Sequence, residues 1–154
     1  MISRRTSSAT PADVEVRKAR SHDEVTAALE LRERIFCGEQ GVSLEADQDG
    51  RDAEATHIVA VDGGAVIGTC RLLFRGEVAR LGRLAVERDR RGDGVAAAIL
   101  QEADRVATEA GAETIALHAQ TYALALYRQA GYEERGSTFV DEGIEHVAME
   151  KPLA

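Results

Sequence analysis

The stretch Arg91-Gly92-Asp93-Gly94-Val95-Ala96 joins an apolar run, Leu81 to Val86, to a long segment of helical periodicity, and that arrangement is suited to holding an anion. Glycines let the chain turn tightly and let an anion approach free backbone N–H groups, while the N-terminus of the following helix adds partial positive charge. Arg90 and Arg91 are placed to add charge-assisted contacts. Five arginines, Arg80, Arg83, Arg88, Arg90 and Arg91, fall within twelve residues of a chain whose formal net charge is −8. A basic patch on an acidic protein points to a small anionic ligand, and the overall charge argues against nucleic acid, whose binding rests on a basic surface. Without a ligand, the same patch reads as a solvated, salt-bridged face. Gly92-x-Gly94-x-x-Ala97 also satisfies a dinucleotide-binding pattern, but that use wants an acidic residue at the end of the next strand, where this chain has His118-Ala119-Gln120.

The elements that position this loop follow from periodicity. Val14 to Arg17 alternates as a short strand, and Ser21 with Glu24 three residues later forms a capping box that starts a helix, expected to run to Gly38. Gly38 to Ala53 is polar, acidic and glycine-punctuated, hence a long loop able to carry function. Thr56 to Val61 and Ala65 to Phe74 are strands joined by the hairpin signal Asp62-Gly63-Gly64, and Val78 to Val86 is a third. Val95, Ile99, Ala103, Val106 and Ala110 mark one face of a helix closed by Gly111, followed by a strand from Thr114 to His118. A short helix, Ala123 to Gln129, ends before Gly131, and strands Tyr132 to Arg135 and Glu145 to Lys151 close the chain. The order implies one domain, residues 13–154, with a mixed α/β or α+β sheet and helices on its faces, preceded by a flexible tail, 1–12.

Two motifs give this frame a specific likeness. Arg91-x-x-Gly94-x-Ala96 resembles the Gln/Arg-x-x-Gly-x-Gly/Ala motif with which the GNAT acetyltransferase superfamily grips the acetyl-CoA pyrophosphate, and Ala123-x-x-Leu126-Tyr127-x-x-x-Gly131-Tyr132 resembles its second signature. Glu39-Gln40-Gly41, Thr56-His57, Gly68-Thr69-Cys70-Arg71, Gly82-Arg83, Leu117-His118-Ala119-Gln120 and Gly143-Ile144-Glu145-His146 are similar to the ElaA/YjcF-like branch. The resemblance implies a mostly antiparallel central sheet flanked by helices on both faces, and an N-acetyltransferase using acetyl-CoA. It assigns the cofactor to Leu84, Ala85 and Val86, which pair with the pantetheine through their backbone, and to the loop Arg91, Gly92, Asp93, Gly94, Val95 and Ala96. Gln120 stands where many members have Asn, which weakens the side-chain contact there. Tyr127 matches the tyrosine that donates a proton to the departing sulfur, a task suited to a phenol.

Acetyl transfer to an amine also needs a base, and His118, His57 and Glu39 are candidates, His118 foremost. Gln40, opening the long loop, and His57 are candidates to line the acceptor pocket. Arg71 and Arg83 are odd residues for apolar strands; they are either neutralised by loop acids such as Glu45 or Asp47, or bind an anionic group of the acceptor. The expected acceptor is the amine of a small molecule or peptide. A non-catalytic acetyl-CoA-binding module and a nicotinamide-binding protein remain as alternatives. Cys37 and Cys70 are too few and too far apart for a zinc framework, and no metal is expected. No run approaches the roughly 18 apolar residues of a membrane helix, and the start carries no secretory signal, so a cytoplasmic protein without membrane attachment is expected. By resemblance, homodimerisation is expected.

Overall fold

The computed structural model describes residues 13–153, so the expected tail lies outside the described residues. Seven strands, β1 (Val14–Lys18), β2 (Thr56–Asp62), β3 (Ala65–Arg75), β4 (Val78–Val86), β5 (Thr114–Gln120), β6 (Glu133–Asp141) and β7 (Ile144–Pro152), form one sheet in the order β1-β2-β3-β4-β5-β7-β6. Every neighbouring pair is antiparallel except β4 with β5. This fold of one mixed sheet matches the expectation. It also speaks against the nicotinamide alternative, because a dinucleotide unit needs successive parallel strands and the described residues form only one parallel pair.

The turns have physical causes. Gly63 and Gly64 both take positive φ, 58° and 84°, the two-residue geometry that matches strand twist in a tight hairpin. Glu142 and Gly143 do the same between β6 and β7. Alternation along β2 sends Ile58 and Ala60 to one face, against α3 (Val95–Glu109), and Val59 and Val61 to the other, against Ala28 of α1 (His22–Arg32). α3 buries Ile99 and Leu100, each contributing about 1.5–3 kcal/mol of apolar burial. Gly68 permits this contact: a Cβ there would sit 2.8 Å from Ile99 Cδ1 and 3.1 Å from Val95 Cγ1.

Three expectations need correction. Gly38 does not stop the first helix, which continues as a π-helical segment, Glu33–Glu39. The stop comes at Gly41, whose φ of 72° supplies the left-handed residue, with Val42 N–H donating to Phe36 O at 2.9 Å. The acidic loop contains a short helix, α2 (Leu44–Asp47), whose first turn is capped by Ser43 Oγ. Strand β6 runs on to Asp141 through Gly136-Ser137-Thr138, a polar stretch that reads as loop because every residue of this edge strand is exposed.

Candidate active site

The site is a split in the sheet. β4 and β5 pair only over Val78↔Thr114, Ala79↔Ile115 and Arg80↔Ala116; past Arg80 the two strands part. On its other side β4 stays bonded to β3, with one extra residue: between Thr69↔Ala85 and Arg71↔Gly82, both Arg83 and Leu84 oppose Cys70. Arg83 takes φ 57° there, a left-handed conformation costing a residue with a Cβ on the order of 1–2 kcal/mol. The split opens into a cleft of about 320 Å³ whose lining includes Leu84, Leu117, His118, Gln120 and Tyr127.

The glycine loop lies beyond the end of β4. Gly92 (φ 88°) and Gly94 (φ 84°) both need the freedom of glycine, and Gly94 is the N-cap residue of α3. No side chain caps this helix and no acid occupies its first turn, so the N–H groups that open α3, around Val95 and Ala96, are left without side-chain partners. A helix start of this kind is suited to holding an anion through backbone N–H groups. The arginines do not add to it as expected. Arg90 pairs with Asp62 at 2.7 Å and with Asp93 at 3.6 Å. Arg91 donates through Nε to Val86 O at 3.0 Å and through both terminal nitrogens to Glu39, at 3.0 and 3.2 Å. Glu39 is therefore engaged as the partner of Arg91 and is not a free base, a correction to its expected role.

Of the two readings left open for Arg71 and Arg83, internal pairing is the one that their contacts favour. Arg71 grips Asp49 at 2.5 Å and Asp52 at 3.0 Å. Arg83 donates to Ala46 O at 2.8 Å and lies 3.4 Å from both Asp47 and Asp49. Arg32, which the sequence reading missed, completes the group by bonding Asp47 at 3.3 Å and Asp52 at 2.6 Å. Three guanidinium groups meet three carboxylates, Asp47, Asp49 and Asp52, and Glu45 takes no part. Arg32 and Asp47 are each only 1% exposed. Hydrogen bonds from Arg71 hold the Asp49 carboxyl well below the usual range, and its neighbours Arg32 and Arg71 lower Asp52 against the opposing effect of burial. The cluster ties the acidic segment to the sheet and offsets the strain at Arg83.

His57 is buried, bonded through Nε2 to Asp52 O at 2.9 Å, and absent from the cleft lining, so it is structural and neither pocket residue nor base. Gln40 and Gln120 bond one another, with Gln120 Nε2 donating to Gln40 Oε1 at 2.7 Å, and Gln40 also donates to Tyr122 Oη at 3.1 Å. Tyr127, on α4 (Leu124–Gln129), is 8% exposed and edge-on to Tyr132 at 6.0 Å. Burial pushes its phenol above the ordinary range, so it keeps its proton at neutral pH. No hydrogen-bond partner holds its hydroxyl among the described residues. His118 faces Arg80, whose Nη2 stands 3.4 Å from Nε2. Partial burial, reinforced by the Arg80 charge, lowers the imidazole pKa, so the neutral form that can accept a proton prevails at pH 7.

A protein-family model described as an acetyltransferase (GNAT) domain matches residues 20–153. The Bacillus subtilis protein named N-acetyltransferase YjcF is 32% identical over 134 residues, spanning 86% of this chain and 96% of its own. The crystal structure of Escherichia coli ElaA superposes with a TM-score of 0.80 at 22% identity, covering 90% of this chain and 99% of that one. An aminoglycoside 6'-N-acetyltransferase solved with coenzyme A superposes with a TM-score of 0.74 at 15% identity, covering 91% and 97%. At those identities the two structures speak for the fold.

Proposed function

This chain belongs to the GNAT acetyltransferase family, and from that premise we propose that it transfers the acetyl group of acetyl-CoA to a primary amine of a small molecule or peptide, by direct attack in a ternary complex. As an acyltransferase it needs a donor site, a way to stabilise negative charge on the thioester oxygen, an acid for the leaving sulfur and a base for the amine. The observation that carries the reading is the split between β4 and β5, with the open α3 N-terminus beyond one end of it and Tyr127 in its lining.

When bound, acetyl-CoA supplies an activated acyl group on a good leaving thiolate. The backbone of Gly92, Asp93, Gly94, Val95 and Ala96 holds its diphosphate, and the Arg91 side chain, already neutralised by Glu39, fixes the loop to the π-helical segment. The free edge of Leu84, Ala85 and Val86 pairs with the pantetheine as a strand would, and an N–H of that edge polarises the thioester carbonyl. Tyr127 donates to the sulfur. The burial that raises its pKa keeps the proton on the phenol until the sulfur leaves. His118 takes the amine proton, and the Gln40–Gln120 pair shapes the wall between donor and acceptor sides. We place the enzyme in the cytoplasm, as a homodimer; no helix among the described residues is long and apolar enough to cross a membrane.

The donor site is tested by calorimetric titration with acetyl-CoA, using NADH as control. Saturable acetyl-CoA binding is expected, and it should weaken at least about tenfold in Gly94→Trp, because a side chain at φ 84° is strained and crowds the open N–H groups. Binding that survives unchanged in that variant removes the glycine loop from the donor site.

A further inference from the structure

Three guanidinium groups line the cleft: Arg71, Arg83 and Arg80. The first two are committed to the aspartates of the acidic segment. Arg80 is not. Among the described residues no carboxylate lies within ion-pair distance of it, and its side-chain partner is His118 Nε2 at 3.4 Å. Register explains the placement: Arg80 pairs with Ala116, and His118, two residues along β5, stands on the same face of the sheet. The cleft lining also contains Asp141, the last residue of β6, and Glu142, in the tight turn that follows. Asp141 has no ion-pair partner among the described residues, and Glu142 is engaged only by the Ser43 N–H, at 3.4 Å.

The acceptor side therefore presents an unpaired cation beside the base, together with unpaired carboxylates on the β6–β7 turn. An amine with no other charge would be drawn by Asp141 and repelled by Arg80. A molecule carrying both an amine and an oxyanion satisfies both groups. Resting on the acyl-transfer reading of this cleft, we propose that the acceptor is an amine bearing its own oxyanion, a carboxylate or a phosphate, and that Arg80 binds that oxyanion. The planar fork of arginine suits either group. Because arginine only donates, the His118 nitrogen facing it carries the lone pair. An incoming oxyanion gives the guanidinium a stronger partner than the imidazole, which frees that lone pair to face the amine.

The test uses the full chain at saturating acetyl-CoA with acceptors matched in skeleton: serine, ethanolamine and O-phosphoethanolamine; phenylalanine and phenethylamine; lysine and cadaverine. In at least one set the oxyanion-bearing member is expected to lead its counterpart without the oxyanion by about tenfold or more in kcat/KM, the phosphate and carboxylate arms telling the two apart. Arg80→Gln should collapse that ratio, and Arg80→Lys should restore part of it, with unfolding midpoints confirming that both variants fold. The inference is overturned if the amines without an oxyanion match or exceed their oxyanion counterparts, or if the ratio survives Arg80→Gln. If no member of any set is acetylated, the inference falls, and the acetyl-CoA titration shows separately whether the donor site falls with it.

Discussion

Replacing Tyr127 by phenylalanine lowers kcat by a factor of about 10² to 10⁴, while the thermal unfolding midpoint stays close to that of the parent. The ring is buried in the main core and packs edge-on against Tyr132, contacts that phenylalanine keeps. The hydroxyl is what changes, and it has no hydrogen-bond partner among the described residues, so its removal strands no buried group. What is lost is the hydroxyl of a residue that lines the cleft splitting the sheet. The loss should fall on kcat and spare the KM for acetyl-CoA, because the contact strengthens only as the sulfur takes up charge. A kcat within twofold of the parent would make Tyr127 a packing residue, whereas a parent that binds acetyl-CoA and turns over no amine would favour the non-catalytic reading.

Arg32→Met is expected to cost about 3–5 kcal/mol of stability, read from chemical denaturation, with a fall in unfolding temperature on the order of 10 °C. The substitution leaves the Asp47 carboxylate buried with only the 3.4 Å contact to Arg83, while its Oδ2 already has no hydrogen-bond partner. Arg32→Met combined with Asp47→Leu should recover much of the loss, since a buried pair replaced as a whole by apolar groups is far less costly than one broken in half. The pH dependence has a defined sign. Asp49 and Asp52 are depressed in the fold, so their contribution is present above the unfolded carboxylate value near 3.9 and is lost as pH falls below it through the folded values. A loss under about 1 kcal/mol in Arg32→Met would show that the cluster does not hold the acidic segment.

The strand, glycine turn and helix start of the proposed donor half were legible because they are local. A strand, two glycines and a helix start are contiguous between Leu81 and Ala96, and each part has a sequence signal of its own. The acceptor half was not, because its partners are far apart in the chain. Arg71 and Arg83 could be recognised as misplaced charges, but their partners Asp49 and Asp52 sit on a segment with no periodicity, and Arg32 is an ordinary arginine on a helix until the fold buries it. Glu39 looked like a base for want of a visible partner, and that partner, Arg91, is 52 residues away. Gly38 misled for a different reason: glycine ends a helix only where the backbone needs positive φ, and here that position is Gly41. The extension of strand β6 beyond Arg135 escaped notice because an edge strand exposed along its whole length has no alternation to read.

The decisive measurement is product analysis. The purified chain is incubated with acetyl-CoA and a panel of primary amines, and mass spectrometry of the amines is set against released CoA. N-acetylated amine and free CoA should appear one for one, only when both substrates are present, and without an acetylated form of the protein accumulating. CoA release with no acetylated amine, or an acetyl-protein formed before amine is added, would contradict direct transfer in the split between β4 and β5.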